Sequence, residues 1–347
     1  MHFKSIAVLL LIGAIVVQDA LADKGGARRH RGGRRPGRKC RRRPWLPGCQ
    51  TTTPPQPTTP EEPTDPPTSS TEEPPTTTPT TTTQPSPSPA SCGTPAITPQ
   101  RQFSRITNGR EAIPNSWPWQ VALGRSGNWA GCGAVLLSDR VVLTAAHCIE
   151  GGSSASNVNG YCAFVGAHFL NNPGVCHRAS SVQIHPNWDR PQLRYDVAVL
   201  TFNSPLSLND HVHPICMPQA PVSPGSECYT TGWGVTELGS TSINLRQARL
   251  TITTDTECSN AWGGMYHSPT MVCAYGAEGI NNPSAPQDAC NGDSGGPMVC
   301  RQPDGSWVLH GVVSWGSTTC SNPSLPSVYA RISGVLGDYI QGVLDAN

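Results

Sequence analysis

Three patterns are missing from this 347-residue chain. Its fourteen cysteines include no Cys-x-x-Cys pair, so the close ligand pairs of a structural zinc site are absent. No Asn-x-Ser/Thr sequon carries a permitted middle residue, and N-linked glycosylation is therefore not expected. No apolar run is long enough to span a bilayer. The longest, Ile6 to Val17, follows Lys4 and precedes Ala20-Leu21-Ala22, the three parts of a secretory signal peptide over residues 1–22. An exported, soluble mature chain starting near Asp23 is expected, with no transmembrane segment. In an oxidising compartment an even cysteine count favours disulfides.

Charge is distributed just as unevenly. Residues 24–43 hold eleven Lys and Arg and no acid, whereas from Cys92 onward there are twelve Arg, no Lys and sixteen acids, a balance of −4. The Gly/Arg arm at 23–50 has too few apolar residues and too much like charge to build a core. A small loop closed by Cys40 and Cys49, carrying Trp45, is the exception. As a partner surface, residues 24–43 suit heparin-like glycans, nucleic acid or another polyanion; a solvated tail or a removable propeptide are the alternatives. Residues 51–91 are a Thr/Pro-rich linker, held extended by proline and suited to O-glycosylation.

From Cys92 the composition becomes globular. Short β-rich runs, "WQVAL", "AVLLS", "RVVLTAA", "DVAVLTF", "ARLTITT", "PMVC", "WVLHGVVSW" and "SVYARI", alternate with Gly/Pro/Asn/Ser turns. That spacing predicts an all-β body, a barrel or sandwich. Helical spacing of apolar residues occurs only at the end, where Val335, Leu336, Tyr339, Ile340 and Val343 predict one C-terminal helix.

The segment "DACNGDSGGPMVC" supplies the first chemical lead. Its Gly292-x-Ser294-x-Gly296 also fits the nucleophile elbow of α/β-hydrolases, but that elbow needs a helix straight after the serine. Here Pro297 and a β-like run follow, so the elbow reading fails. Upstream, "VLTAAHCIE" offers His147 and "RYDVAVLTF" offers Asp196. Singly, a histidine beside a buried cysteine is more often packing, and an aspartate starting a strand more often a turn cap. In the order His147, Asp196, Ser294 they make a base, an orienting acid and a nucleophile.

With "RITNG", "WPWQVAL", "LTAAHC", "DVAVL", "TTGWG", "GDSGGP" and "VVSWG" all in sequence, the chain from Ile106 to Asn347 resembles the trypsin/chymotrypsin family of secreted serine proteases. The resemblance implies two six-stranded antiparallel barrels with the site between them, and no cofactor. It assigns the triad to His147, Asp196 and Ser294, and the oxyanion-binding N–H groups to Gly292 and Ser294. Residues 92–105 become an activation peptide. Cleavage after Arg105 would free the Ile106 amine to pair with Asp293, making the chain a zymogen.

The same resemblance puts Asp288 at the floor of the primary specificity pocket, selecting Arg or Lys through charge-assisted hydrogen bonds. Ser314, Trp315 and Gly316 match the strand that meets the substrate backbone. Ser327 departs from the glycine usual in trypsin-type members, and its hydroxymethyl group would either narrow the pocket or bond to Asp288. Chymotrypsin- or elastase-like cleavage, or a catalytically silent heparin-binding or antimicrobial homologue, are the alternatives. Protein or peptide substrates and protease inhibitors are the implied partners.

Spacing alone leaves the cysteine pairing open. The resemblance implies Cys92–Cys216, Cys132–Cys148, Cys228–Cys300, Cys258–Cys273 and Cys290–Cys320, which leaves Cys162–Cys176 and Cys40–Cys49. Cys92–Cys216 would tether the propeptide to the protease after activation. No acid lies between Glu150 and Asp189, where relatives carry a calcium loop, so no calcium site is expected. Pro326 stands where sodium-activated relatives have an aromatic, which argues against a sodium site.

Overall fold

The computed structural model describes residues 92–100, 109–149, 160–236, 238–277, 288–320 and 322–347. The signal peptide, the basic arm, the linker, the Cys40–Cys49 loop, Arg105 and Ile106 lie outside the described residues. Among those described, the strands are β1 Arg110–Glu111, β2 Gln120–Arg125, β3 Asn128–Leu136, β4 Val141–Thr144, β5 Tyr161–Val165, β6 Cys176–Arg178, β7 Ser181–Ile184 and β8 Ala198–Thr201. There follow β9 Glu227–Gly232, β10 Arg246–Ile252, β11 Met271–Gly276, β12 Pro297–Arg301, β13 Trp307–Trp315 and β14 Ser327–Arg331. No helix among the described residues is long and apolar enough to cross a membrane.

The protein is mostly β, as its turn spacing predicts. The C-terminal sheet runs β1-β10-β11-β14-β13-β12-β9, and β9 also pairs with β10, closing six strands into a barrel with β1 outside the ring. The N-terminal sheet runs β6-β5-β2-β3-β4-β8-β7 and has no hydrogen-bonded seam. Its two edge strands are instead consecutive in the chain. Ala179 N–H still bonds the Tyr161 carbonyl on the β5 side at 3.1 Å, and the next N–H, of Ser180, bonds Thr201 on the β8 side at 2.7 Å. One bent strand, β6 plus β7, thus joins both edges, and counting it once gives the six strands of the expected barrel.

Local sequence explains the tight corners. Ser126 and Gly127 take φ of 52° and 83° between the paired Arg125 and Asn128, a two-residue turn whose twist suits a hairpin. Packing between the sheets comes from "WPWQ". Trp117 and Trp119 are fully buried, and the Trp117 ring lies 4.9 Å from Trp307 and 5.7 Å from Tyr229 of the other sheet. Each such ring buries about 150–250 Å². Trp117 Nε1 donates to Gln247 Oε1 at 3.0 Å and Thr231 Oγ1 donates to Gln120 Oε1 at 2.5 Å, so polar groups crossing between the sheets have partners.

The C-terminal helix, α2 at Val335–Asp345, buries Leu336, Ile340 and Val343 and leaves Val335 half exposed. The sequence reading of a single helix needs correction. A second one, α1, spans Asp255–Trp262. It buries only Cys258, so it has no apolar face to detect, and it is set by its start: Thr254 Oγ1 accepts from Glu257 N–H while the Glu257 carboxylate accepts from Thr254 N–H. Strands β1, β5, β6, β7, β9 and β11 were also outside the predicted runs.

Candidate active site

Asp196 sits just before β8 with 1% of its surface exposed. Its Oδ1 accepts the backbone N–H of His147 at 2.9 Å and its Oδ2 lies 2.7 Å from His147 Nδ1. The imidazole, still a quarter exposed, is therefore fixed in orientation through its Nδ1 side. The turn that delivers Asp196 includes Tyr195 at φ 57°, a left-handed conformation that costs a non-glycine residue roughly 1–3 kcal/mol. The Tyr195 ring stacks on His185 at 4.9 Å, which holds the turn in place.

β13 ends beneath this pair. Ser314 Oγ donates to Asp196 Oδ2 at 2.5 Å, so the carboxylate receives three hydrogen bonds in a nearly water-free setting. The sequence reading gave Ser314 to the substrate backbone; its side chain also supports the acid. Nothing but the "VVSWG" motif marks this residue in the sequence.

Ser294 reaches the same place from the other sheet. Its carbonyl accepts Gly133 N–H at 2.8 Å, and Cys132, one residue earlier, is bonded to Cys148 beside His147. Gly295 packs so closely on Thr144 and the Gly133 carbonyl that a Cβ would overlap both. Gly295 N–H donates to Val313 at 2.8 Å, tying the loop to β13 as well. Ser294 and His147 are thus anchored to one short stretch of β3 from opposite sides. The Cys132–Cys148 sulfurs lie within 4.8 Å of a His147 nitrogen, but being bonded to each other they offer no thiolate to a metal.

The loop before Ser294 has an uneven hydrogen-bond pattern. Asp293 N–H donates to Cys290 O at 2.9 Å, yet no acceptor among the described residues takes the N–H of Gly292 or of Ser294. Gly292 takes φ 101°, open to glycine and poor for other residues. A Cβ there would come within 3.3 Å of the Trp129 ring, which the sequence reading did not connect with this loop.

The two aspartates have different surroundings. Asp293 Oδ1 accepts Gly234 N–H at 2.7 Å and its Oδ2 accepts Cys290 N–H at 2.9 Å. Burial still pushes its carboxyl up to about 6, against these N–H bonds and the Arg246 charge. Asp293 and Asp288 both line a small cavity together with Gly109, Gly232, Gly234 and Arg246. Asp288 Oδ1 accepts Ala289 N–H at 2.8 Å. Burial pushes its carboxyl up to about 7, opposed by hydrogen bonds from Ser327 and Ala289 and helped by the Asp293 charge.

Ser327 lies under Gly316, its hydroxyl 3.1 Å from where a Cβ on that glycine would stand. Trp315 is backed by Trp262, 4.7 Å away at 70°, whose indole N–H bonds Pro326 at 2.9 Å. Disulfides join Cys92 to Cys216, Cys132 to Cys148, Cys162 to Cys176, Cys228 to Cys300, Cys258 to Cys273 and Cys290 to Cys320. The last bridges the segments that carry Asp288 and Gly316.

Comparison with known proteins gives a family and a relative. The family model described as Trypsin matches residues 106–337. Transmembrane protease serine 9 of Rattus norvegicus is 37% identical over 250 residues, which are 71% of this chain and 22% of that protein. The chain thus spans about a fifth of the length of this curated relative.

Proposed function

The chain belongs to the trypsin family of serine proteases, and we propose that it is a secreted endopeptidase, made as a zymogen and specific for Arg or Lys before the scissile bond. The observation that carries the catalytic part is the fixing of His147 by Asp196 through both its backbone N–H and Nδ1.

Ser294 Oγ attacks the scissile carbonyl carbon as its proton passes to His147 Nε2. Asp196 holds the tautomer and stabilises the imidazolium, with Ser314 steadying the carboxylate. The oxyanion takes the N–H groups of Gly292 and Ser294, each worth roughly 3–4 kcal/mol of barrier. Collapse breaks the C–N bond as His147 returns the proton to the amine. Water then attacks the acyl-enzyme by the reverse route, and the acid product leaves with Ser294 restored.

Activation follows from Asp293. Burial penalises the charged form of Asp293 despite its two backbone donors and the Arg246 charge, and a newly freed α-amine beside it offsets that cost. Ile106 stands three residues before Gly109, which lines the Asp293 cavity, and three residues reach at most about 10 Å. Asp288 then supplies the negative charge that selects a cationic side chain. The Cys92–Cys216 bridge keeps the segment ahead of Arg105 attached after the cut. Residues 24–43 stay available to heparin-like glycans or another polyanion.

The test is cleavage after Arg105 followed by labelling with a serine-directed phosphonate and peptide-library profiling. Labelling at Ser294 with cleavage after Arg or Lys is expected. Full activity in an uncleavable Arg105→Gln protein would remove the zymogen reading. Preference for Phe or Leu would remove the pocket assignment, and no labelling at all would favour a silent binding homologue.

A further inference from the structure

We propose that Trp129 is a positioning residue for the oxyanion site, its indole holding Gly292 so that the Gly292 N–H stays turned into that site. The proposal rests on Gly292 and Ser294 being the oxyanion donors, as set out above.

The register of β2 against β3 shows how the ring reaches the loop. Leu123 pairs with Cys132, yet the next residue, Gly124, pairs with Trp129, so Ala130 and Gly131 are extra on β3. A bulge of this kind re-aims the side chain beside it. Gly131 takes φ 81°, a turn that glycine makes at little cost. Trp129 Nε1 then donates to the Cys132 carbonyl, on the far side of the bulge, at 2.8 Å. The half-buried indole is thus pinned to its own strand and not to the loop that it meets.

It meets the face of Gly292 from which a side chain would project. A Cβ there would stand 3.3 Å from Trp129 Cη2 and 3.0 Å from Gly234 Cα. Just before Gly292, the Asn291 carbonyl accepts Val235 N–H at 2.8 Å. In a trans peptide the following N–H, that of Gly292, points the opposite way, away from Val235. No acceptor among the described residues takes that N–H, and glycine has the backbone freedom to turn it elsewhere. One backbone bond and the ring packed on the glycine are what restrict this peptide. Without the ring the loop has room to shift, and the N–H shifts with it.

The second donor is held from the same strand. Gly133, one residue past the carbonyl that pins the indole, donates its N–H to the Ser294 carbonyl at 2.8 Å. Residues 129–133 of β3 therefore set the spacing of both oxyanion donors, through a packed ring at one end and a hydrogen bond at the other.

The experiment uses the full chain cleaved after Arg105, as wild type, Trp129→Ala and Trp129→Phe. Each is given a peptide amide substrate and two inhibitors, the matching peptide aldehyde and peptide alcohol. The aldehyde carbon bonds Ser294 Oγ reversibly while the serine proton passes to His147, and its oxygen then occupies the oxyanion site. The alcohol fills the same substrate positions but forms no adduct. In Trp129→Ala, kcat should fall by about 10- to 100-fold with little change in KM, somewhat less than the loss of a whole oxyanion donor. Aldehyde affinity should fall by a similar factor while alcohol affinity holds, a split that a merely structural role would not produce. Trp129→Phe keeps a ring but loses the bond to Cys132, and should fall between. Unchanged kcat and aldehyde affinity in Trp129→Ala, or equal weakening of aldehyde and alcohol, overturns the proposal. A Trp129→Phe enzyme equal to wild type on the aldehyde overturns the role of the pinned indole, even where Trp129→Ala does not fold. A wild type that neither turns over the amide nor binds aldehyde more tightly than alcohol overturns the underlying catalytic reading instead.

Discussion

Gly234 donates its backbone N–H to Oδ1 of Asp293 at 2.7 Å, and a Cβ on Gly234 would overlap the same carboxylate. Gly232, two residues earlier in "TTGWG", is packed on Asp293 in the same way. Both glycines are therefore required by contact with a carboxylate and not by backbone conformation. In Gly234→Ala the Asp293 side chain must move, and Gly292 and Ser294 move with it. Activity after cleavage at Arg105 should drop by about 100-fold, the usual effect of displacing a reacting group by 1 Å. Steady-state kinetics on a peptide amide checks this, and an unimpaired Gly234→Ala enzyme would count against Asp293 as the organiser of the loop.

Ser314 provides a narrower probe of the acid. Ser314→Ala removes one of three hydrogen bonds to Asp196 while sparing both bonds to His147. A hydrogen bond to a charged group contributes about 1.5–3 kcal/mol, so kcat should fall by about 10- to 100-fold. KM should change little, because the lost bond touches no substrate atom. A rise in KM with kcat preserved would instead assign Ser314 to substrate binding alone.

The sequence reading succeeded where side chains carry periodic or chemical information. The runs around β2, β4, β8, β12, β13 and β14 are apolar and buried on both faces, and α2 has a 3.6-residue stripe. β9, "ECYTTG", was missed because its buried residues include Thr230 and Thr231, which look like surface until Thr231 is seen bonded to Gln120 of the other sheet. α1 was missed because only Cys258 on it is buried; its capping box, Thr254 with Glu257, was the available signal. At the candidate site, the motifs pointed to His147 and Asp196, which the fold brings into contact, and to Ser294 as the proposed nucleophile. Trp129 against Gly292, Trp262 behind Trp315, and Ser314 beneath Asp196 depend on contacts between distant segments, and no local pattern encodes those.

The Cys132–Cys148 bridge bears on both halves of the candidate triad. It closes a 16-residue separation and fixes the chain beside His147 to the strand that holds the Ser294 carbonyl. Replacing both cysteines by serine should cost about 3 kcal/mol of stability by loss of loop closure. It should also lower kcat more than any fall in the folded fraction explains, because His147 loses its covalent neighbour. Urea unfolding and kinetics on the same preparation separate the two effects. Equal stability with unchanged kcat would show that hydrogen bonds alone hold the geometry.

In the intact chain Asp293 and Asp288 have carboxyl groups raised by burial to about 6 and about 7. Between about pH 4 and pH 7 the folded protein then holds protons that an unfolded chain has released. Their contribution to stability therefore declines as pH rises through that window. The buried imidazoles of His310, pushed down to about 4, and His185, also lowered, act in the opposite sense: their contribution is lost as pH falls below about 6.5. A difference measurement isolates the aspartate. In an Arg105→Gln background, Asp293→Asn should gain stability relative to its parent as pH rises from 4 to 7, by at most about 3 kcal/mol. After cleavage at Arg105 in the otherwise native chain, pairing with the Ile106 amine favours the carboxylate, and the same substitution should become destabilising at neutral pH. Urea titrations at half-unit pH intervals on both forms read out the sign. A difference that neither varies with pH in the uncut chain nor reverses on cleavage would exclude Asp293 as the group that meets the new amine.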